Sequence, residues 1–110
     1  MRDQAYLEHI RDAIDRILDY TDDMSREDFA ADQKTQDAVV RQFEVMGEAA
    51  KQLSDRTRDR LTSVPWQDIA GMRDRLIHGY FDVDNDVVWA TVQQDLPELR
   101  NRIGQFLEDE

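Results

Sequence analysis

The chain has 110 residues, enough for one domain with its own core and little surplus, so a single domain over 1–110 is expected. It contains no cysteine, which excludes disulfides, thiolate zinc sites and cysteine nucleophiles; a reducing interior fits, and the cytoplasm is the expected compartment. A formal charge of −11 opposes non-specific binding to nucleic acid, whose affinity comes from basic surface.

That acidity leaves three readings open: a local basic site on an acidic body, a basic protein partner, or solubility alone. Of the 14 basic residues 12 are Arg, and several fall in one central stretch, at Arg56, Arg58, Arg60, Arg73 and Arg75.

Only four Gly and two Pro interrupt a sequence whose apolar residues recur at helical spacing, which predicts an all-α fold. From Asp3 to Tyr20 the residues Leu7, Ile10, Ile14, Ile17 and Leu18 make the stripe of a first amphipathic helix. Its start is charged, with no apolar run long enough for a signal peptide or a membrane span. Thr21 to Ala31 reads as a polar connection in which Ser25 and Asp28 form a capping box over one short turn, pinned to the core by Phe29.

Asp32 is the expected N-cap of a second long helix reaching Leu53, with Val39, Phe43, Met46, Ala50 and Leu53 on one face. Gly47 inside it costs about 1 kcal/mol relative to Ala, so a neighbouring helix is expected to approach closely over Gly47, Ala49 and Ala50. Ser54 to Val64 is charged, with room for one more turn. Pro65 suits the first position of a third helix carrying Trp66, Ile69, Met72 and Leu76, which Gly79 is placed to end. The stretch from Asp82 to Asp86 supplies a turn and the N-cap of a last helix. That helix carries Val87, Val88, Val92, Leu96, Leu99, Ile103 and Phe106, with Pro97 expected to kink or break it. The predicted architecture is an up-and-down bundle of four main helices with a short extra helical turn.

The segment from Met72 to Phe81 holds an R-x4-H-x-Y pattern at Arg73, His78 and Tyr80. On a straight helix positions five apart lie about 140° around the axis, whereas positions seven apart nearly coincide. Arg73 and Tyr80 therefore align and His78 does not. Convergence needs either a helix that stops near His78 and Gly79 or a second copy that completes the site. Once converged, His78 is suited to general acid or base work on a ribose hydroxyl or a leaving oxygen. Arg73 offers a planar donor fork to phosphoryl oxygens, with Arg75 as an auxiliary. A 2′-hydroxyl is an internal nucleophile, so this chemistry requires no metal or other cofactor. The competing reading is structural, because an Arg and a His near a helix end also cap it and favour its dipole.

Four blocks carry a wider resemblance. They are Arg41–Lys51 (RQFEVMGEAAK), Val64–Phe81 (VPWQDIAGMRDRLIHGYF), Val83–Asp84, and Val88–Pro97 (VWATVQQDLP). In these the chain closely resembles the HepT family of the HEPN superfamily of helical ribonucleases, over most of residues 5 to 105. The resemblance implies a toxin of a toxin–antitoxin pair, with the motif on Arg73, His78 and Tyr80 and a polar residue, Asp74, after the Arg. It also implies a homodimer with its site at the subunit junction. The partner it implies is a minimal nucleotidyltransferase (MNT) antitoxin that transfers AMP to Tyr80; such a group would add charge and bulk where an RNA phosphate must sit.

Other candidates have bland readings that fit better. Glu44 and Glu48 lie one turn apart but lack the Glu-x-x-His pairs of di-iron bundles, so salt bridges with Arg41 and Lys51 are expected. Glu48 would orient Arg73 or Arg75 only if buried. His9 is expected to be solvated. Asp82, Asp84 and Asp86 lack the Gly and Glu of a calcium loop and read as capping residues. Trp66 and Trp89 read as core or dimer anchors, and Arg56, Arg58 and Arg60 either guide RNA or meet the acidic bundle. Two functions follow: a metal-independent endoribonuclease toxin, or a non-catalytic acidic helical dimer that is partner and substrate of the nucleotidyltransferase.

Overall fold

Helix α1 spans Arg2–Tyr20 in the computed structural model, which describes residues 2–61 and 85–109. Its stripe is buried as the spacing requires: Leu7, Ile10, Ala13, Ile14 and Ile17. Leu18 packs against this core from a half-buried position. The helix ends in a turn whose Asp23 has φ 62°, the left-handed region where a β-carbon is crowded.

Helix α2, Arg26–Ala30, starts at the expected capping box. The Asp28 amide donates to Ser25 Oγ at 3.0 Å and the Ser25 amide donates to an Asp28 carboxylate oxygen at 3.1 Å. Phe29 is buried and meets the Trp89 ring at 5.4 Å between centroids. The far end of α2 is closed by a residue the sequence did not single out. Gln36 is buried, and its Nε2 donates to the Phe29 and Ala30 carbonyls at 2.8 and 3.1 Å.

Helix α3, Gln33–Lys51, is capped by Asp32 as expected, with the Thr35 amide and hydroxyl donating to its carboxylate at 3.1 and 2.9 Å. It ends two residues short of the predicted Leu53, which is nonetheless buried. Gly47, Ala49 and Ala50 are all buried, in keeping with a close neighbour there. Among the described residues α1 and α3 form the most extensive helix pair. They run antiparallel, since Asp3 at the start of α1 reaches Ser54 just past the end of α3.

Helix α4, Asp55–Arg60, is the extra turn the charged stretch had room for, capped by Ser54. The expected third helix from Pro65 to Gly79 lies outside the described residues, as do Trp66, Asp82 and Asp84. The chain is described again from α5, Asn85–Ala90, which continues without interruption through a π-helical turn, Thr91–Asp95, into α6, Leu96–Asp109. Of the kink or break expected at Pro97, no break occurs. In an α-helix Pro97 would lack an amide to bond four residues back and its ring would press on that carbonyl. The wide turn ahead of it, in which the Leu96 amide bonds to the Thr91 carbonyl five residues back, shifts the register so the chain stays helical.

Val87 is 54% exposed whereas Val88, about 100° further around the helix axis, is buried on the core side. Val88, Val92, Leu96, Leu99 and Ile103 keep one buried face from α5 to α6. Helix α6 lies antiparallel against α1, and Arg100 Nε donates to Asp15 at 2.9 Å between them. The described residues are thus helical with no strand, an all-α bundle in which α3 and α6 flank α1. None of the described helices is long and apolar enough to cross a membrane.

Candidate functional site

Arg73, Asp74, Arg75, His78 and Tyr80 lie within 62–84, outside the described residues. The structure does describe the two ends between which that segment is strung. Upstream stands α4, a helix of sequence DRTRDR with a single buried residue, Thr57, too short and too charged to hold itself. Three other helices hold it. Asp3 of α1 accepts from the Ser54 amide at 3.2 Å and from the Ser54 and Thr57 hydroxyls. Those hydroxyls, Ser54 first, draw the Asp3 carboxyl below its ordinary pKa of 3.8 by bonding to its charged form. Arg58 Nη2 donates to the Ala50 carbonyl at 2.7 Å, adding to the Leu53 amide that this carbonyl accepts at the end of α3. The Arg60 guanidinium sits 4.9 Å from the Phe106 ring centroid of α6. Leu61, where the described stretch ends, is buried in the core.

Arg58 and Arg60 each make a packing contact for α4, and both Arg56 and Arg60 are exposed. Downstream, the start of α5 is held to α2 by Arg26 and Asp86 at 2.8 Å and by the stacking of Phe29 on Trp89. Asp86, read from the sequence as a capping or turn residue, stands in the first turn of α5 and pairs with Arg26, and Trp89 is a half-buried anchor of the core.

Between α1 and α3 the structure opens a surface cleft of about 360 Å³, lined by Tyr6, His9, Arg41, Glu44, Val45, Glu48, Ala49 and Gln52. Within it Arg41 and Glu44 pair at 3.3 Å, and from outside the lining Lys51 approaches Glu48 at 3.9 Å, the salt bridges their spacing predicted. Glu48 is exposed, so the condition under which it would orient Arg73 or Arg75 from a buried position is not met. His9 is exposed as expected, yet it borders this cleft, which helix periodicity alone does not reveal. Among the described residues no group of His, Asp and Glu is arranged to hold a metal ion.

The described residues define an all-α helical bundle, and the sequence between its two described stretches carries the R-x4-H-x-Y motif. A family model described as "Ribonuclease HepT-like" matches residues 10–106. The chain is 44% identical to the "Probable ribonuclease HepT" of Thermococcus cleftensis, over 92% of each chain. It is 40% identical to a candidate RNase of Caldanaerobacter subterraneus, over 97% of this chain and 96% of the relative. A Methanocaldococcus jannaschii protein named as both a gamma-glutamylcyclotransferase and a candidate RNase is 40% identical over 96% of this chain, which spans 48% of that longer relative. No solved structure matches. The chain belongs to the HepT-like ribonuclease family.

Proposed function

We propose that the protein is the toxin of a HepT/MNT toxin–antitoxin pair, a cytoplasmic, metal-independent endoribonuclease that acts as a homodimer and is silenced by adenylylation of Tyr80. The observation that carries this reading is the family match, which spans 10–106 and so contains the intact R-x4-H-x-Y motif. In the reaction the 2′-hydroxyl oxygen attacks the adjacent phosphorus and the bond to the 5′-oxygen breaks, leaving a 2′,3′-cyclic phosphate and a 5′-hydroxyl end. His78 takes the 2′-hydroxyl proton or delivers one to the leaving oxygen. Arg73 stabilises the charge growing on the phosphoryl oxygens, with Arg75 and Asp74 as auxiliary substrate-binding groups. AMP on Tyr80, transferred from ATP by the nucleotidyltransferase, places negative charge and bulk against Arg73 and excludes RNA.

Purified protein is expected to cut single-stranded RNA in excess EDTA and to leave cyclic-phosphate ends. The substitution His78→Ala is expected to lower the rate by about 10²-fold or more while sedimentation still reports a dimer. Wild-type protein that cuts no RNA at any salt or pH would sink the reading. The charge of −11 favours a second one, in which the acidic dimer is the non-catalytic partner and substrate of the nucleotidyltransferase. In that case Tyr80→Phe removes AMP incorporation and there is no nuclease activity to change.

A further inference from the structure

The cleft between α1 and α3 is lined by described residues to which the ribonuclease reading assigns no chemistry, and their composition is that of a base-recognition site. At about 360 Å³ it falls within the lower range of small-ligand pockets. Tyr6 offers an aromatic face, Val45 and Ala49 an apolar surface, and Arg41 and Glu44 a polar edge. Arg41 and Glu44, 3.3 Å apart, set guanidinium donors beside a carboxylate that is acceptor-only when ionised. Their side chains are 69% and 30% exposed, so the pair is reachable from solvent.

A donor beside an acceptor complements the edge of guanine, where the O6 acceptor adjoins the N1–H and N2–H donors. Adenine and cytosine each place an acceptor nitrogen beside a single amino group, which a carboxylate repels. Uracil offers one N–H between two carbonyls. Glu48 puts a second carboxylate in the lining, and His9 and Gln52 border it with groups suited to ribose oxygens. Arg41 and Lys51 are already paired with Glu44 and Glu48, so the site has no surplus of positive charge, which favours a neutral base over a phosphate as the group seated there.

We propose that this cleft is a base-recognition subsite for a guanine nucleotide, with Tyr6 stacking on the base and the Arg41–Glu44 pair reading its edge. That the guanine belongs to an RNA substrate rests on the ribonuclease reading above; the binding itself does not.

The test is a titration of the full chain with GMP, IMP, AMP, CMP and UMP at fixed ionic strength, followed by amide NMR. GMP is expected to shift amides around Tyr6 to Ile10 and Glu44 to Gln52 and to bind about tenfold more tightly than AMP, since the Glu44 contact is a charge-assisted hydrogen bond. IMP, which lacks the 2-amino group, should fall between the two. Glu44→Gln should bring GMP down to the AMP level, and Tyr6→Leu should weaken both purines by about tenfold through lost stacking. Glu44 is partly exposed and Tyr6 is half-buried against the core, so circular dichroism is used to confirm that both variants are folded. Equal affinity for all five nucleotides, shifts confined to another surface, or GMP binding indifferent to Glu44→Gln would each overturn the proposal. RNA cleavage by the same wild-type preparation is assayed in parallel. Cleavage without guanine preference in binding overturns the subsite alone, whereas guanine binding by a protein that cuts no RNA overturns the ribonuclease reading and leaves the subsite standing.

Discussion

Removing the Phe29 ring tests whether α2 is a structural latch on the last helix. Phe29 is 1% exposed, and its ring packs on Trp89, the α5 residue that lies just beyond the segment bearing the motif. Truncation of a buried Phe to Ala costs about 3–5 kcal/mol from lost transfer energy and the cavity left behind. A domain of this size has about 5–15 kcal/mol in all, so Phe29→Ala should remove roughly a fifth or more of the total stability. Within that loss the ring pair itself should account for about 0.5–1.5 kcal/mol. A double-mutant cycle with Trp89→Ala isolates this coupling, read from urea unfolding followed by far-ultraviolet circular dichroism at fixed protein concentration, since any dimerisation would add to apparent stability. A loss below about 1 kcal/mol for Phe29→Ala, or single-mutant losses that simply add, would refute the packing argument.

Two further perturbations act on polar and backbone features. Asp3 has its folded pKa held below 3.8 by the Ser54 and Thr57 hydroxyls, so its stabilising contribution is full above 3.8 and is lost as pH falls through the lower folded value. Asp3→Asn should therefore lower the urea midpoint by a constant amount above about pH 5, and the gap to wild type should close in more acidic solution; a gap that widens on acidification would contradict the assignment. Asp23, at φ 62°, should be replaceable by Gly with a gain of about 0.5–1 kcal/mol, because the left-handed conformation costs Gly little and a negative charge leaves the C-terminal end of α1. A thermal melt that shows Asp23→Gly to be destabilised would mean the aspartate makes an interaction that outweighs its conformational strain.

What could be read in the sequence was local. The stripe of α1 follows from residues three and four apart, and the Ser25 and Asp32 caps follow from side chains that reach only three residues ahead. Contacts between distant positions left no such trace: Asp3 with Ser54 and Thr57, Arg58 with the Ala50 carbonyl, Arg26 with Asp86. The cleft is of the same kind, because Tyr6 and His9 read as ordinary helix residues until α3 brings Arg41 and Glu44 beside them. Pro97 left its outcome open for a different reason. A proline forbids a standard turn, but the sequence does not say whether the chain answers by breaking or by widening the turn ahead of it. The motif residues Arg73, Asp74, Arg75, His78 and Tyr80 were found through spacing and family likeness, and their roles rest on those grounds.

The wide turn at Thr91–Asp95 has a consequence for how the last helix responds to changes in length. A π turn is an α-helix that has taken in one surplus residue, and here Val88 and Val92 on one side and Leu96, Leu99 and Ile103 on the other still share a buried face. The helix therefore carries its own slack. A one-residue deletion within Thr91–Asp95 can be absorbed by tightening that turn, leaving Trp89 on Phe29 and Arg100 on Asp15, whereas the same deletion in α1 or α3 would rotate half of a helix away from its partner.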